Sequence, residues 1–164
     1  MTEIPEPVAR LTPDECWGLL RTAQVGRLAV TVGGRPEIFP VNYVVDHGTV
    51  VFRTAEGTKL AALAVAPEVA FEADGRYPGG SGEPGDPDRP DEAWSVVVKG
   101  RTREIDRLDD VVATAELPLF PWHSSPKGRF VRVLPDEVTG RRFPVADAAA
   151  WDTPLSGTRR TAHE

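Results

Sequence analysis

Arg53 and Lys59 are two cations set around a short run of small and hydroxylated residues, within Val50-Val51-Phe52-Arg53-Thr54-Ala55-Glu56-Gly57-Thr58-Lys59-Leu60. A guanidinium is a planar fork of donors, an ammonium is a compact charge, and a helix start adds N–H groups with no partner inside the helix. Together they suit a phosphate monoester. Val50 to Thr54 reads as a strand and Thr58 as the N-cap of a helix over Lys59 to Ala66, with Lys59 in its first turn. Arg53 and Lys59 bracket a glycine turn instead of standing at helical spacing, so their heads can converge on one anion. The same residues also describe an exposed charged turn whose threonine only caps a helix, and spacing leaves both readings open.

Two further groups belong with this run. Pro40-Val41-Asn42-Tyr43 lies within an apolar strand, and a proline there marks an edge, a bulge or a first position. One reading is an ordinary edge strand; the other sets its backbone groups and Asn42 against a flat heteroaromatic edge, with Pro40 and Tyr43 as walls. Trp94-Ser95 opens a strand after a long Gly/Pro/Asp stretch. Trp94 reads as core, or as part of a pair reaching a ligand held by a second subunit. His123, after Pro121-Trp122, reads as a surface histidine that titrates near neutrality. His47, His163 and Cys16 have no metal-ligand spacing, so no metal is expected. Cys16 lies on the apolar face of a helix with no histidine beside it, and no paired carboxylates or nucleophile elbow stand out, so no side chain is assigned a catalytic role.

The elements that must position these groups follow from local signals. Thr12-Pro13-Asp14-Glu15 is a capping box with proline at the first helical position. Leu28 to Val32 and Pro36 to Val45 flank Gly33-Gly34 as a hairpin, Asp46-His47-Gly48 turns the chain into Thr49 to Thr54, and Glu68 to Ala73 gives a fourth strand. Asp74 to Glu92 has the composition of a mobile surface loop. Trp94 to Ile105 is a strand, Leu108 to Leu117 a helix, and Arg129 to Leu134 a sixth strand, with weaker strand character through Val138 to Phe143. Sequential strands with few helices and no GxGxxG argue for a mainly β chain with short helices, forming a six-stranded antiparallel barrel, and against a doubly wound sheet. The expected organisation is an extension over 1–11, a domain over 12–147 with a flexible loop at 75–92, and a polar tail over 148–164.

Composition bounds the partners. The chain has 164 residues, 40% hydrophobic, with a net charge of −6, and a pI near 5.1. An acidic protein of this kind argues against nucleic acid as a general partner. One cysteine excludes an intrachain disulfide and fits a reducing cytoplasm. No apolar run is long enough for a membrane span or a signal core.

Taken together, several motifs resemble the pyridoxamine 5′-phosphate oxidase-like, FMN-binding split-barrel family, in its actinobacterial flavoprotein branch. They are Gly26-Arg27-Leu28-Ala29, Pro36 with Ile38 to Tyr43, Phe52-Arg53-Thr54 with Gly57-Thr58-Lys59-Leu60, Trp94 to Val98 before Gly100-Arg101, and Thr139-Gly140-Arg141-Arg142. The resemblance implies a split β-barrel homodimer with FMN at the subunit interface and a small-molecule substrate. It implies that Arg53, Thr54 and Lys59 hold the phosphate, that Pro40 to Tyr43 lies along the isoalloxazine, and that Trp94 and Ser95 come from the other subunit. The chain lacks the family founder's C-terminal Arg-rich substrate signature around a tryptophan, which argues against pyridoxamine phosphate oxidation. Three functions are compatible with the pattern: an FMN-dependent oxidoreductase, an F420-dependent reductase with Arg76, Arg101 and Arg103 lining a basic groove, and a flavin-binding or sensing module without turnover.

Overall fold

The computed structural model describes residues 8–55, 57–77, 91–106, 114, 117–119 and 128–145. Its strands are β1 (Ala9–Arg10), β2 (Val25–Val32), β3 (Arg35–Asp46), β4 (Thr49–Thr54), β5 (Glu68–Tyr77), β6 (Glu92–Ile105) and β7 (Arg129–Pro144), with helices α1 (Pro13–Leu20) and α2 (Thr58–Val65). The fold is mainly β, and every pairing is antiparallel. The strand order β7-β4-β3-β2-β5-β6 closes because β6 also pairs with β7, which makes a six-stranded split barrel. The seventh strand, β1, only adds Ala9 and Arg10 to the outer half of β7, opposite Arg142 and Arg141.

The hairpins form where the turn residues allow positive φ. Gly33 and Gly34 have φ of 56° and 77°, and His47 and Gly48 have 47° and 69°, the backbone hand that matches the twist of the flanking strands. β7 is the strand that closes the barrel. Its first half pairs with β4 from Val50↔Val133 to Thr54↔Arg129 while also facing β6. Its second half runs on beside β6, beyond the reach of β4, with Gly140 close against Cys16 of α1. Between the halves Lys99 faces Glu137 and Gly100 faces Pro135, so Asp136 is extra on β7. A side chain on Gly100 would strike the Leu134 carbonyl, which is how a β-bulge and a strand proline share one position.

Two expected boundaries move. The fourth strand does not end at Ala73 but runs on through Tyr77, because Gly75, Arg76 and Tyr77 have ladder partners in Trp94, Ala93 and Glu92. Arg76 also pairs with Asp91 at 2.8 Å. The ends of the expected loop are therefore strand; residues 78–90 lie outside the described set. The weak strand character after Leu134 belongs to one continuous 16-residue strand. The helix expected over Leu108 to Leu117 falls mostly outside the described residues.

The pleat sorts residues to two faces. Leu28, Val30, Val41, Tyr43, Val50, Phe52, Phe71, Trp94, Val96, Val98, Val131 and Val133 fill the barrel together with Cys16 and Leu20 of α1. A second apolar cluster, Val51, Ile105, Leu119 and Phe130, covers the outer face of β4 and β7. α1 carries its full capping box: Glu15 N–H donates to Thr12 Oγ1, and Thr12 N–H donates to Glu15 Oε2 at 2.7 Å.

Candidate functional site

The register of β3 and β4 assembles the cationic run and the Pro40 segment. The last pair of that ladder is Tyr43↔Phe52. The next residues along each strand are Asn42 and Arg53, so Pro40 to Asn42 and Arg53-Thr54 leave the ladder at the same end. On its other side this part of β3 pairs with β2, with Pro40 opposite Arg27 and Val41 opposite Gly26. α2 then packs against β2, and Lys59 Nζ reaches the neighbouring β3, 4.7 Å from the centre of the Phe39 ring.

Within this group the two cations have separate aromatic supports. Arg53 and Thr54 are neighbours on a strand, so their side chains take opposite faces. Thr54 is buried and its hydroxyl lies 3.3 Å from the Ala55 carbonyl. Arg53 is half-buried, with Cζ 5.1 Å from the centre of the Phe130 ring, its partner on β7. Both cation–π platforms escaped the sequence reading, since a phenylalanine in a strand looks like core. Phe39, one residue before the strand proline, was the better clue.

The helix start differs from expectation at one residue. Gly57 is the N-cap and Thr58 the first helical residue, because Gly57 has a φ of 151° that a side chain would disfavour, and the cap residue itself offers no side chain to the helix's first amides. No acid stands in the first turn of α2, and Lys59 does. A cation at the positive end of a helix dipole is the reverse of the usual arrangement, which α1 shows with Asp14 and Glu15. Gly57, Lys59, Thr54 and the strand end at Arg53 therefore form a positively polarised corner.

The remaining candidates divide. Trp94 is buried in the core, its indole against Gly75, where an added Cβ would stand 2.8 Å from the ring. Ser95 faces the other way, into a groove of about 1050 Å³ on the outer face of β6 and β7 with Val97, Thr139 and Arg141. Val41 and Tyr43 point into the barrel; the Tyr43 hydroxyl donates to the Leu20 carbonyl at 2.6 Å and its ring meets Phe71 edge-on. Asn42 and the backbone of Tyr43 line a cavity of about 430 Å³ between the end of α1, β3 and Pro118-Leu119. Trp122 and His123 lie outside the described residues.

Ion pairs lie beside the corner and at the opposite, turn end of the β3–β4 ladder. Arg27, opposite Pro40, bonds Glu72 through Nε at 2.8 Å and also pairs with Asp74. Behind the β3–β4 turn Arg132 reaches Asp46 Oδ2 and Thr49 Oγ1, each at 2.7 Å. Burial would raise the Asp46 carboxyl, but the bonds from Arg132 and His47 outweigh it and hold the group below the usual carboxylate range. Burial, reinforced by Glu72 and opposed by Arg27, pushes the Tyr43 phenol well up. Burial also raises the Cys16 thiol, which is fully enclosed. Among the described residues no three His, Cys, Asp or Glu side chains converge on a metal geometry, and no helix is long and apolar enough to cross a membrane.

Known proteins are similar to this chain in sequence and fold. The pyridoxamine 5′-phosphate oxidase family model matches residues 12–142. An uncharacterised protein of Mycobacterium tuberculosis is 33% identical over 86% of this chain and 88% of its own length. Among solved structures, a Corynebacterium glutamicum protein named after pyridoxamine 5′-phosphate oxidase is 35% identical with a TM-score of 0.70, covering 88% of this chain and 98% of that one. A Mycobacterium smegmatis protein called an FAD-binding protein is 37% identical with a TM-score of 0.63, covering 83% and 98%. A match across most of the chain, joined to a barrel that brings Pro40 to Tyr43, Arg53-Thr54 and Lys59 to one end, means that the chain belongs to the pyridoxamine 5′-phosphate oxidase-like family of split-barrel proteins.

Proposed function

We propose that this chain is a cytoplasmic, homodimeric flavoprotein that binds FMN and serves as an oxidoreductase of a small-molecule acceptor. The observation that carries the reading is the opening of α2, where an uncapped helix start coincides with Lys59 and follows the strand end at Arg53. Such a corner is poorly matched to water-exposed helix physics and well matched to a phosphate. Arg53 would supply the fork of donors, Lys59 a point charge, and the first turn of α2 its backbone N–H groups. Pro40 to Asn42 leaves the ladder beside Arg53 and would flank the ring system. The flavin named for the M. smegmatis relative agrees in cofactor class.

A bound flavin supplies the hydride and electron chemistry, and the chain's part is to hold, orient and shield it. Thr54 and Val41 close the floor from inside the barrel, where both are buried. Ser95 and its groove mark the outer face of β6 and β7 as the surface a second copy would cover, with Ser95 reaching the partner's flavin. Arg76 and Arg101, two of the arginines that would serve an acidic F420 tail, are instead paired with Asp91 at 2.8 Å and Glu68 at 3.4 Å. That favours FMN. The missing substrate signature leaves pyridoxamine phosphate out of the proposal.

The test is the visible spectrum of the purified protein, with mass identification of any molecule released by heat. FMN absorbance is expected; protein that stays colourless and takes up no added FMN would sink the reading. Arg53→Ala should weaken FMN binding by about 2 to 4 kcal/mol through loss of a charge-assisted contact, and Lys59→Ala by less. Unchanged affinity in Arg53→Ala would mean that the phosphate lies elsewhere. Bound FMN that no nicotinamide or F420 donor reduces would favour a sensing module over an enzyme.

A further inference from the structure

β2 stops short of β3, and the gap it leaves is chemically specific. The ladder between them ends at Val25↔Asn42, followed by a bond from the Tyr43 N–H to the Gln24 carbonyl at 3.1 Å. β3 continues to Asp46, where its only strand neighbour among the described residues is β4. In a strand, the N–H and C=O groups of residues two apart point the same way. The Val45 N–H and C=O therefore point as the Tyr43 N–H does, away from β4 and into the vacated space. The turn agrees: His47 and Gly48 form a two-residue connection, so Asp46 and Thr49 are the bonded pair, and Val45↔Val50 is the pair without mutual bonds.

That space is the cavity of about 430 Å³. Leu20, Ala23, Val44 and Leu119 make it apolar, while Gln24 and Arg21 stand on its lining from the end of α1. A peptide strand is a poor occupant. The open edge is short: the next residue whose backbone would share Val45's direction is His47, which already lies in the turn at a φ of 47°. What remains is one donor and one acceptor on a single residue beside an apolar pocket of small-molecule size.

We propose that this cavity binds a small, uncharged, planar amide: a lactam, imide or carboxamide heterocycle. Its adjacent C=O and N–H pair with the N–H and C=O of Val45, and its ring fills the space between Leu20, Ala23 and Leu119. The site stands without a flavin. Its use as the berth of the flavin's reaction partner rests on the flavin reading, because Asn42 borders both the cavity and the Arg53 corner.

The experiment titrates the flavin-stripped full chain with isoquinolin-1(2H)-one and with its N-methyl derivative, which keeps the ring and loses the donor. Calorimetry and amide NMR read the result. One-to-one binding of the lactam, a downfield shift of the Val45 amide proton, and about tenfold weaker binding of the N-methyl compound are expected. Val45→Pro removes a donor that the ladder does not use and should weaken the lactam similarly. Ala23→Leu fills the cavity and should abolish binding should the proline variant not fold. No binding, equal binding of the two compounds, or unchanged binding in Ala23→Leu overturns the proposal. Arg53→Ala separates the two readings: it should lose FMN and keep the lactam, whereas lactam binding in a protein that never takes up FMN would defeat the flavin reading alone.

Discussion

Tyr43 shows what the alternation of one strand decides. The sequence reading placed it on a wall beside a heteroaromatic ring; its side chain instead points inward and ties β3 to the end of α1 through the Leu20 carbonyl. Tyr43→Phe should cost about 1 to 2 kcal/mol in denaturant unfolding, since a buried carbonyl loses its donor. The phenol's folded pKa lies above its unfolded value, so its contribution is complete below about pH 10 and is lost as pH rises. The variant should therefore show a flatter alkaline limb of stability against pH. Asp46 has the opposite sign. Its folded pKa is depressed, so the stability it contributes is present above about pH 4 and is lost as pH falls. Asp46→Asn should be less stable at neutral pH and lose less on acidification. Such partners, Arg132 for Asp46 and Glu72 for Arg27, lie far apart in the chain and had no local signal to announce them.

At the scale of elements, the legible features were those written within a few residues. The Thr12 capping box, the Gly33-Gly34 hairpin and the His47-Gly48 turn all form where their residues demand. The boundaries that moved were set by distant partners: β5 runs on to Tyr77 because β6 pairs with it, and β7 runs through Pro135 because Gly100 makes room for the bulge. Gly100→Ala tests the second case. Its methyl would meet backbone, which cannot rotate away, so a loss of about 1 to 3 kcal/mol in thermal or chemical unfolding is expected. α2 was found from its spacing, but its cap was misassigned by one residue because Thr58 is the better capping type and Gly57 the better fit to the backbone. The corner made by Arg53, Thr54 and Lys59 was legible as a set of charges. Its geometry was not, because the Tyr43↔Phe52 register and the rings of Phe39 and Phe130 arise only on folding.

For the whole molecule, the apolar interior and the outer face of β6 and β7 serve different ends. If a second copy covers the groove beside Ser95, flavin affinity should rise with protein concentration over the range in which sedimentation shows dimer forming. Ser95→Arg should weaken both together, and a monomer that binds FMN with undiminished affinity would remove the interface from the site. Cys16 gives a probe of the fold itself: its thiol should resist a disulfide reagent in the native protein and react once denaturant opens the barrel.

The barrel's closure also sets an order of events during synthesis. β4 finds its second neighbour only when residues 129–133 exist, so a chain still on the ribosome carries Thr49–Thr54, with its Val50-Val51-Phe52 centre, as an unpaired and sticky edge until β7 has been made. Pairing across so long a span makes closure a slow step. Pausing or truncation before residue 129 should therefore send the nascent chain to chaperones or aggregates, and β7 acts as the latch on the strands made before it.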